Sequence, residues 1–454
     1  MKIIIAGAGK VGKTVAEQLA DEGHDVTVID RNVDIISEVS NSLDVICVEG
    51  NAADPETLTE SGVSTADLVM AATEKDEVNM ICGVCSSKLG AKHVIARIRD
   101  PQYLHQSDFL RDALGLSYIV NPEYECAKEI SRILHFPGAA HVDSFSKGSV
   151  EIVEHKIPQE GVLSGVQLKD LYSLFGARVL VALLERDGHA VIPNGETTLK
   201  ANDRLSITGS PAELRRFFHA IGQLKRPVRK VMVIGGSRIA VYLSRMLTEN
   251  GIAVTVIERD RALCEQLCDL IPKAQIVCGD ATHSEVLSED GIATTDAFVA
   301  LTGDDGDNII TSLYARSRNV DKVILKVNRE HFIEILNNSG LDSIVSPKEI
   351  VAQQLVRYVR AIGNSSGSSV EMLYRLADGT IEAMEFQVSA SSACIDKPIR
   401  ELKLRPNILL TAIIRNNHVL LPNGNTQILP GDHVVVVAKA GKLSNFDEIL
   451  DNGK

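Results

Sequence analysis

Short apolar runs recur along the first 120 positions, each followed by a turn signal and a helix-length stretch with one apolar face. KIIIA (2–6), VTVID (26–30), DVICV (44–48), LVMAAT (68–73), HVIARI (93–98) and YIV (118–120) predict strands. Segments such as Val11–Glu22 and Val78–Leu89 predict helices between them. Strands that alternate with helices imply βαβ units and a parallel sheet. Apolar runs with little polar alternation fit strands covered on both faces. The expectation is a doubly wound, Rossmann-like α/β domain over residues 1–135.

The same pattern then returns. KIIIAGAGKVGKTVAEQLADEGHDVTVID at 2–30 resembles KVMVIGGSRIAVYLSRMLTENGIAVTVIE at 230–258. VEGNAAD (48–54) answers VCGDATH (277–283), and GLSYIVNPEYECAKEI (115–130) answers GLDSIVSPKEIVAQQL (340–355). The offset is 228 or 229 over most of the length and 225 around Pro122 and Pro347. An internal repeat decides the architecture before any local reading does. A second Rossmann-like domain is therefore expected at 228–362.

After each of these, the pattern shortens. EIVEHKI, ARVLVALLER and DRLSITG are strand-like and broken by turn signals such as Asp187-Gly188 and Asn194-Gly195. Ser210-Pro211-Ala212-Glu213 opens a closing helix as a capping box with proline at its first position. Small α+β domains are expected at 142–224 and 370–450, with linkers near 135–141, 223–228 and 363–369. The fold class is α/β: two Rossmann-like doubly wound parallel-sheet domains, each followed by a small α+β domain.

Composition narrows the function. The 454 residues carry 47 Lys+Arg against 60 Asp+Glu, a net charge of −13, with 44% hydrophobic residues. No basic surplus exists to neutralise a nucleic-acid backbone, which argues against a nucleic-acid partner. Small anions stay open, because a helix N-terminus binds them without net basic charge. No apolar run is long enough to span a membrane as a helix. KIIIA runs straight into a glycine turn, so the domain is expected to begin at the first residue, with no signal peptide. The eight cysteines then read as reduced cytosolic thiols. Cys82-x-x-Cys85 and the Cys264/Cys268 pair fall inside helices and read as buried thiols, not as metal or redox sites.

Gly7-Ala8-Gly9-Lys10-Val11-Gly12 is a G-x-G-x-x-G that follows a strand and opens a helix. Gly7 permits the turn, Gly9 lets the backbone approach a pyrophosphate, and Gly12 lets helix and strand pack closely. Asp30 ends the second strand, where an acid accepts ribose hydroxyls and disfavours a 2′-phosphate. Gly50-Asn51-Ala52, Thr73-Glu74 and Arg97 end further strands and should face the same crevice. Arg97, a charged residue in an apolar strand, should meet a phosphate or a carboxylate. Glu74-Lys75-Asp76-Glu77 reads either as site residues or as a helix cap. The second copy keeps Gly235 but reads Gly236, Ser237, Arg238, Ile239 and Ala240 after it. Ser237 puts a Cβ where close backbone approach is wanted, and Arg238 adds a charge. Glu258, Gly279-Asp280, Thr302-Gly303 and Lys326 hold the equivalent strand ends. A dinucleotide, another nucleotide and an empty structural copy all remain open there.

GAGKVG, VID, VEGNAAD, AATEKDEVNM and IARIRDP, in duplicate and each followed by a small domain, resemble the TrkA family. Its members are nucleotide-binding regulatory subunits of Trk potassium-uptake systems, and their halves are called RCK domains. The resemblance covers essentially the whole chain, and its duplication is the specific part, because related Ktr-type subunits have one copy. It implies a peripheral ring, usually a tetramer, on the cytoplasmic face of the membrane beneath an integral-membrane potassium channel or transporter subunit. It implies NAD (NAD+ or NADH) and ATP or ADP as ligands and regulation, not catalysis. Carried over, Gly7 to Val11, Asp30, Asn51, Thr73, Glu74 and Arg97 contact the first nucleotide. Gly235 to Ile239, Glu258, Asp280, Thr302 and Lys326 line the second site. Cyclic di-AMP binds the small domain of some relatives, and no residue here assigns it. The rivals are an NAD-dependent oxidoreductase, for which no acid/base constellation stands out, and a nucleotide sensor for another cation transporter.

Overall fold

A computed structural model describes residues 1–451 apart from 105–106, 136–141, 146–148, 224–227, 330–331, 333–335, 337–340, 342, 365–369, 378–379, 417, 442 and 444. Most of the three expected linkers lies outside the described residues. The first sheet holds β1 (Lys2–Ala6), β2 (Asp25–Asp30), β3 (Ile46–Glu49), β4 (Leu68–Ala71), β5 (His93–Arg97) and β6 (Tyr118–Val120). All pair in parallel, in the order β3-β2-β1-β4-β5-β6. This is the doubly wound order that reverses between β1 and β4. β3 starts two residues later than its apolar run predicts, and β4 ends two residues earlier. Ala72 and Thr73 leave the sheet to pass over Gly7.

The small domain holds β7 (Val142–Phe145), β8 (Val150–Lys156), β9 (Leu180–Arg186), β10 (His189–Val191) and β11 (Arg204–Gly209). They form an antiparallel sheet, β10-β9-β11-β8-β7, closed by the helix Pro211–Ala220. That helix is capped by Ser210, whose hydroxyl accepts from Glu213 N–H. The second half repeats both sheets. β12 (Lys230–Ile234), β13 (Ala253–Glu258), β14 (Gln275–Cys278), β15 (Ala297–Ala300), β16 (Lys322–Lys326) and β17 (Ile344–Val345) are parallel in the matching order. β18 (Val370–Leu376), β19 (Ile381–Gln387), β20 (Ile408–Arg415), β21 (His418–Leu420) and β22 (His433–Lys439) repeat the antiparallel sheet. A buried aspartate paired with a half-buried arginine recurs with the repeat: Arg186–Asp203 and Arg415–Asp432, each at 2.7 Å. Burial pushes the Asp203 carboxyl up, but Arg186 and the Lys200 N–H outweigh it and hold the group low.

Two helices cross between the halves. The helix Pro122–His135 follows β6 but buries Cys126, Ala127, Ile130, Ile133 and Leu134 against Val231, Ile239 and Leu243 of the second repeat. Those positions lie on one helical face. The helix Pro347–Asn364 returns the exchange, burying Val351, Ala352, Leu355, Val356 and Val359 against Ile3, Val15 and Leu19. Each fully buried aliphatic side chain contributes roughly 1.5–3 kcal/mol, so each Rossmann core is completed by the other half. The two small sheets also meet face to face, joining Phe145, Ile152 and Leu183 to Ile381, Ala412 and Val435.

Candidate functional site: two clefts at the strand ends

In the first repeat, Gly7 turns the chain at φ +107, and a Cβ there would lie 2.7 Å from Thr73 N. A Cβ on Gly12 would overlap the Gly7 carbonyl oxygen, whereas one on Gly9 meets nothing within 4 Å. Gly12 is thus needed by the fold, and Gly9 keeps an open space at the helix N-terminus. The helix Lys10–Asp21 has no side-chain cap, so its first N–H groups are available to an anion. The Asp30 carboxylate accepts from Ala8 N–H at 2.8 Å and Asn32 N–H at 2.9 Å, which fixes it beside the turn. Gly9 and Lys10 are exposed; Val11 points into the core and can offer a ligand only its backbone.

Asn51 is exposed with its side chain turned to Ala53 N–H, and Ala52 is buried beneath it. Thr73 is half-buried and Glu74 exposed. Arg97 is 8% exposed, and its Nε has no hydrogen-bond partner among the described residues. Burial lowers its pKa, as does Arg99, against the opposing pull of Glu123, Asp76 and Glu74. Among the described residues no ion pair closes on Arg97. A buried guanidinium held this way is costly unless an anion meets it.

The second repeat forms a cleft of about 370 Å³, lined by Gly235, Gly236, Ser237, Glu258, Asp280 and Thr302 among others. That volume is in the range of small-ligand sites. Gly236 N–H donates to Glu258 at 2.6 Å, matching Ala8 and Asp30. The Ser237 hydroxyl caps its own helix by accepting from Ala240 N–H at 3.4 Å. One donor that stays free in the first copy is therefore engaged in the second. Asp280 accepts from Thr282 N–H and hydroxyl, and those bonds lower its pKa. Arg238 is exposed, Ile239 lies in the core, and neither they nor Lys326 line the cleft. Lys326 is buried, with its pKa lowered by desolvation and opposed by Cys126 and Asp305.

Two buried asparagines organise both sites and escape the sequence reading. Asn79 accepts from Thr73 N–H (2.8 Å) and hydroxyl (2.6 Å), and donates to the carbonyls of Thr73 (3.1 Å) and Arg97 (2.8 Å). Asn308 does the same for Thr302 and Lys326. Each ties the exit of the fourth strand to the fifth. Asp76 does not cap its own helix; it accepts from Arg99 and Asp100 N–H at 2.8 Å each. Asp305 holds Asn328 and Arg329 likewise. The signal was present as an Asp-x-x-Asn in each copy, Asp76/Asn79 and Asp305/Asn308.

The fold and its clefts define a tandem protein of two Rossmann-type domains, each followed by a small antiparallel domain. The TrkA-N domain model matches residues 3–122 and 231–347, and the TrkA-C domain model matches 152–222 and 383–451. The chain belongs to the family of Trk system potassium uptake proteins TrkA. It is 32% identical over 451 residues to the TrkA homologue of Archaeoglobus fulgidus, covering 99% of this chain and 100% of that protein. It is 32% identical to TrkA of Vibrio alginolyticus, covering 96% and 95%. Among solved structures, the GsuK RCK domain superposes with a TM-score of 0.63 at 19% identity, covering 98% and 93%. The GsuK channel bound to NAD gives 0.62 at 20%, covering 98% and 77%. Both likenesses establish the RCK fold. Among the described residues no helix is long and apolar enough to cross a membrane.

Proposed function

We propose that the chain is the non-enzymatic, nucleotide-sensing subunit of a potassium-uptake system, peripheral on the cytoplasmic face of an integral-membrane channel or transporter subunit. The observation that carries this is the first glycine turn: an uncapped helix N-terminus, an open Gly9 and a fixed Asp30, with Arg97 buried at the end of the fifth strand of the same sheet and without an ion-pair partner among the described residues. These groups match the pyrophosphate and ribose of NAD or NADH. The second cleft, with Ser237 capping its helix, takes a nucleotide with fewer loop contacts, such as ATP or ADP. A copy of the chain assembles with others, as a tetrameric ring, and a ligand shifts that ring by binding its states unequally. The family membership supports the potassium partner, and the NAD-bound GsuK fold is consistent with the ligand class.

The test is potassium flux through the channel subunit in liposomes, with and without this protein, under NAD, NADH, ATP and ADP. Nucleotide-dependent flux is expected; flux indifferent to every nucleotide overturns the reading.

A further inference from the structure

Three cysteines gather behind the residues that line the second cleft. Cys278 ends β14, and its backbone is in register with Glu258 of β13. Cys264 lies in the first turn of the helix Arg261–Leu270, which packs on β14. Its sulfur donates to the Glu258 carbonyl at 3.2 Å, and Gly279 N–H donates to that same oxygen at 2.9 Å. The Cys264 sulfur thus shares the Glu258 carbonyl with the residue that follows Cys278, and the Cys278 thiol is near enough to help push the Cys264 pKa up. Cys264 is 6% exposed, while Cys278 and Cys268 are open to solvent. The expectation of buried thiols therefore holds for Cys264 and fails for Cys268. Among the described residues no three His, Cys, Asp or Glu side chains converge for a metal ion. In the first repeat the equivalent positions are Ile36 and Glu49, so the pair belongs to the second cleft alone.

We propose that Cys278 and Cys264 are an oxidative modification site that closes to an intramolecular disulfide on exchange with a low-molecular-weight disulfide. The Cys278 thiolate attacks one sulfur of the reagent, forming a mixed disulfide and expelling one thiolate. Cys264 then gives up its proton, attacks the Cys278 sulfur and expels the second thiolate. Two protein thiols are oxidised and one reagent disulfide is reduced to two thiols. The order follows from access: the exposed sulfur meets the reagent first, and the buried one resolves it. Burial pushes the Cys264 thiol up to about 11, so it stays protonated near neutral pH and is not the thiol that meets the reagent first.

The bond also changes the cleft. A disulfide needs sulfurs about 2.0 Å apart, closer than two unbonded thiols can lie. It draws the end of β14 toward the helix and removes the proton that Cys264 donates to Glu258. Leu263 and Gly279, which line the cleft, each adjoin one of the two cysteines. Oxidation is therefore expected to alter the second cleft and leave the first untouched.

The experiment treats the full-length protein with oxidised glutathione and maps the disulfides by peptide mass spectrometry without reduction. A Cys264–Cys278 linkage is expected, absent in Cys278→Ser. In Cys264→Ser, glutathione should stay attached to Cys278. Reaction confined to Cys268, or unreactive thiols in the folded protein, overturns the proposal. This mapping does not depend on the nucleotide reading. A second measurement, the thermal shift given by ADP before and after oxidation, bears on the cleft. If ADP gives no shift in either state, the nucleotide assignment fails while the modification site stands. An ADP shift unchanged by complete oxidation overturns the link to the cleft.

Discussion

Asn121 of the first repeat donates its side-chain N–H to the phenol oxygen of Tyr242 in the second, at 3.1 Å, in a buried setting. Tyr242 in turn donates to the carbonyl of Arg99 at 3.1 Å, two residues beyond Arg97. Tyr242 is the fifth residue of the helix Arg238–Glu249, whose N-terminus abuts the second cleft. A three-residue chain thus connects the loop of one site to the helix of the other.

Tyr242→Phe removes that connection and keeps the ring that packs edge-on to Tyr124. Losing the hydroxyl removes one bond from each of Asn121 and the Arg99 carbonyl, which still bond each other at 3.2 Å, so the cost is about 0.5–1.5 kcal/mol. Calorimetric titration of NADH with and without saturating ADP should show coupling in the parent protein and less in the variant. By linkage the same factor must appear when the order is reversed. Equal coupling in both proteins rules the connection out.

Gly9→Ala and Gly12→Ala should behave in opposite ways. The Gly9 Cβ enters open space at an ordinary φ of −64, so melting stays near that of the parent while NADH affinity falls at least tenfold. The Gly12 Cβ meets the Gly7 carbonyl, so the protein itself is destabilised. A thermal melt alongside an NADH titration separates the two. Loss of stability in Gly9→Ala would move the open space from the ligand to the fold.

The glycine pattern announced the strand–turn–helix, because Gly7 and Gly12 answer steric demands that the backbone sets, and Gly9, which answers none, marked the open space beside them. The asparagines gave no such notice. A buried Asn79 inside the helix Asp76–Lys88 looks like any polar helical position until the fourth and fifth strands end beside it. The crossing helices were hidden for a related reason. Periodicity shows that Cys126, Ile130 and Ile133 share a face, but not that the face belongs to the other half's core.

Arg97→Met should raise the stability of the ligand-free protein, read as the urea midpoint, because it removes a desolvated charge and keeps the volume. The same change should abolish most of the stabilisation by NADH, which is a mass-action term. A variant less stable than the parent without ligand would make Arg97 a structural residue.

Glu151 supplies a pH dependence. Its ordinary value is 4.5, and burial pushes it up to about 7, with Arg132 and Arg215 pulling down and Glu129 pushing up. Below pH 4.5 the group is protonated whether folded or unfolded, and its neutral burial costs nothing further. Stability then falls as pH rises through about 7, where the folded state must accept the charge. The full effect is on the order of 3 kcal/mol. Glu151→Gln should flatten this part of the stability curve and be the more stable protein at pH 8. Parallel curves for parent and variant would contradict it.

The positions equivalent to Asn121 and Tyr242 are Ser346 and Thr14, and they do not repeat the contact. Among the described residues the Ser346 hydroxyl has no partner, and Thr14 bonds back to the Lys10 carbonyl at 3.0 Å. Two separate copies joined by the same exchange would have to carry every such contact twice, once in each direction. Joined in one polypeptide, the halves keep the mutual embrace of a dimer while shedding its obligatory equality. One half is then free to speak and the other to listen.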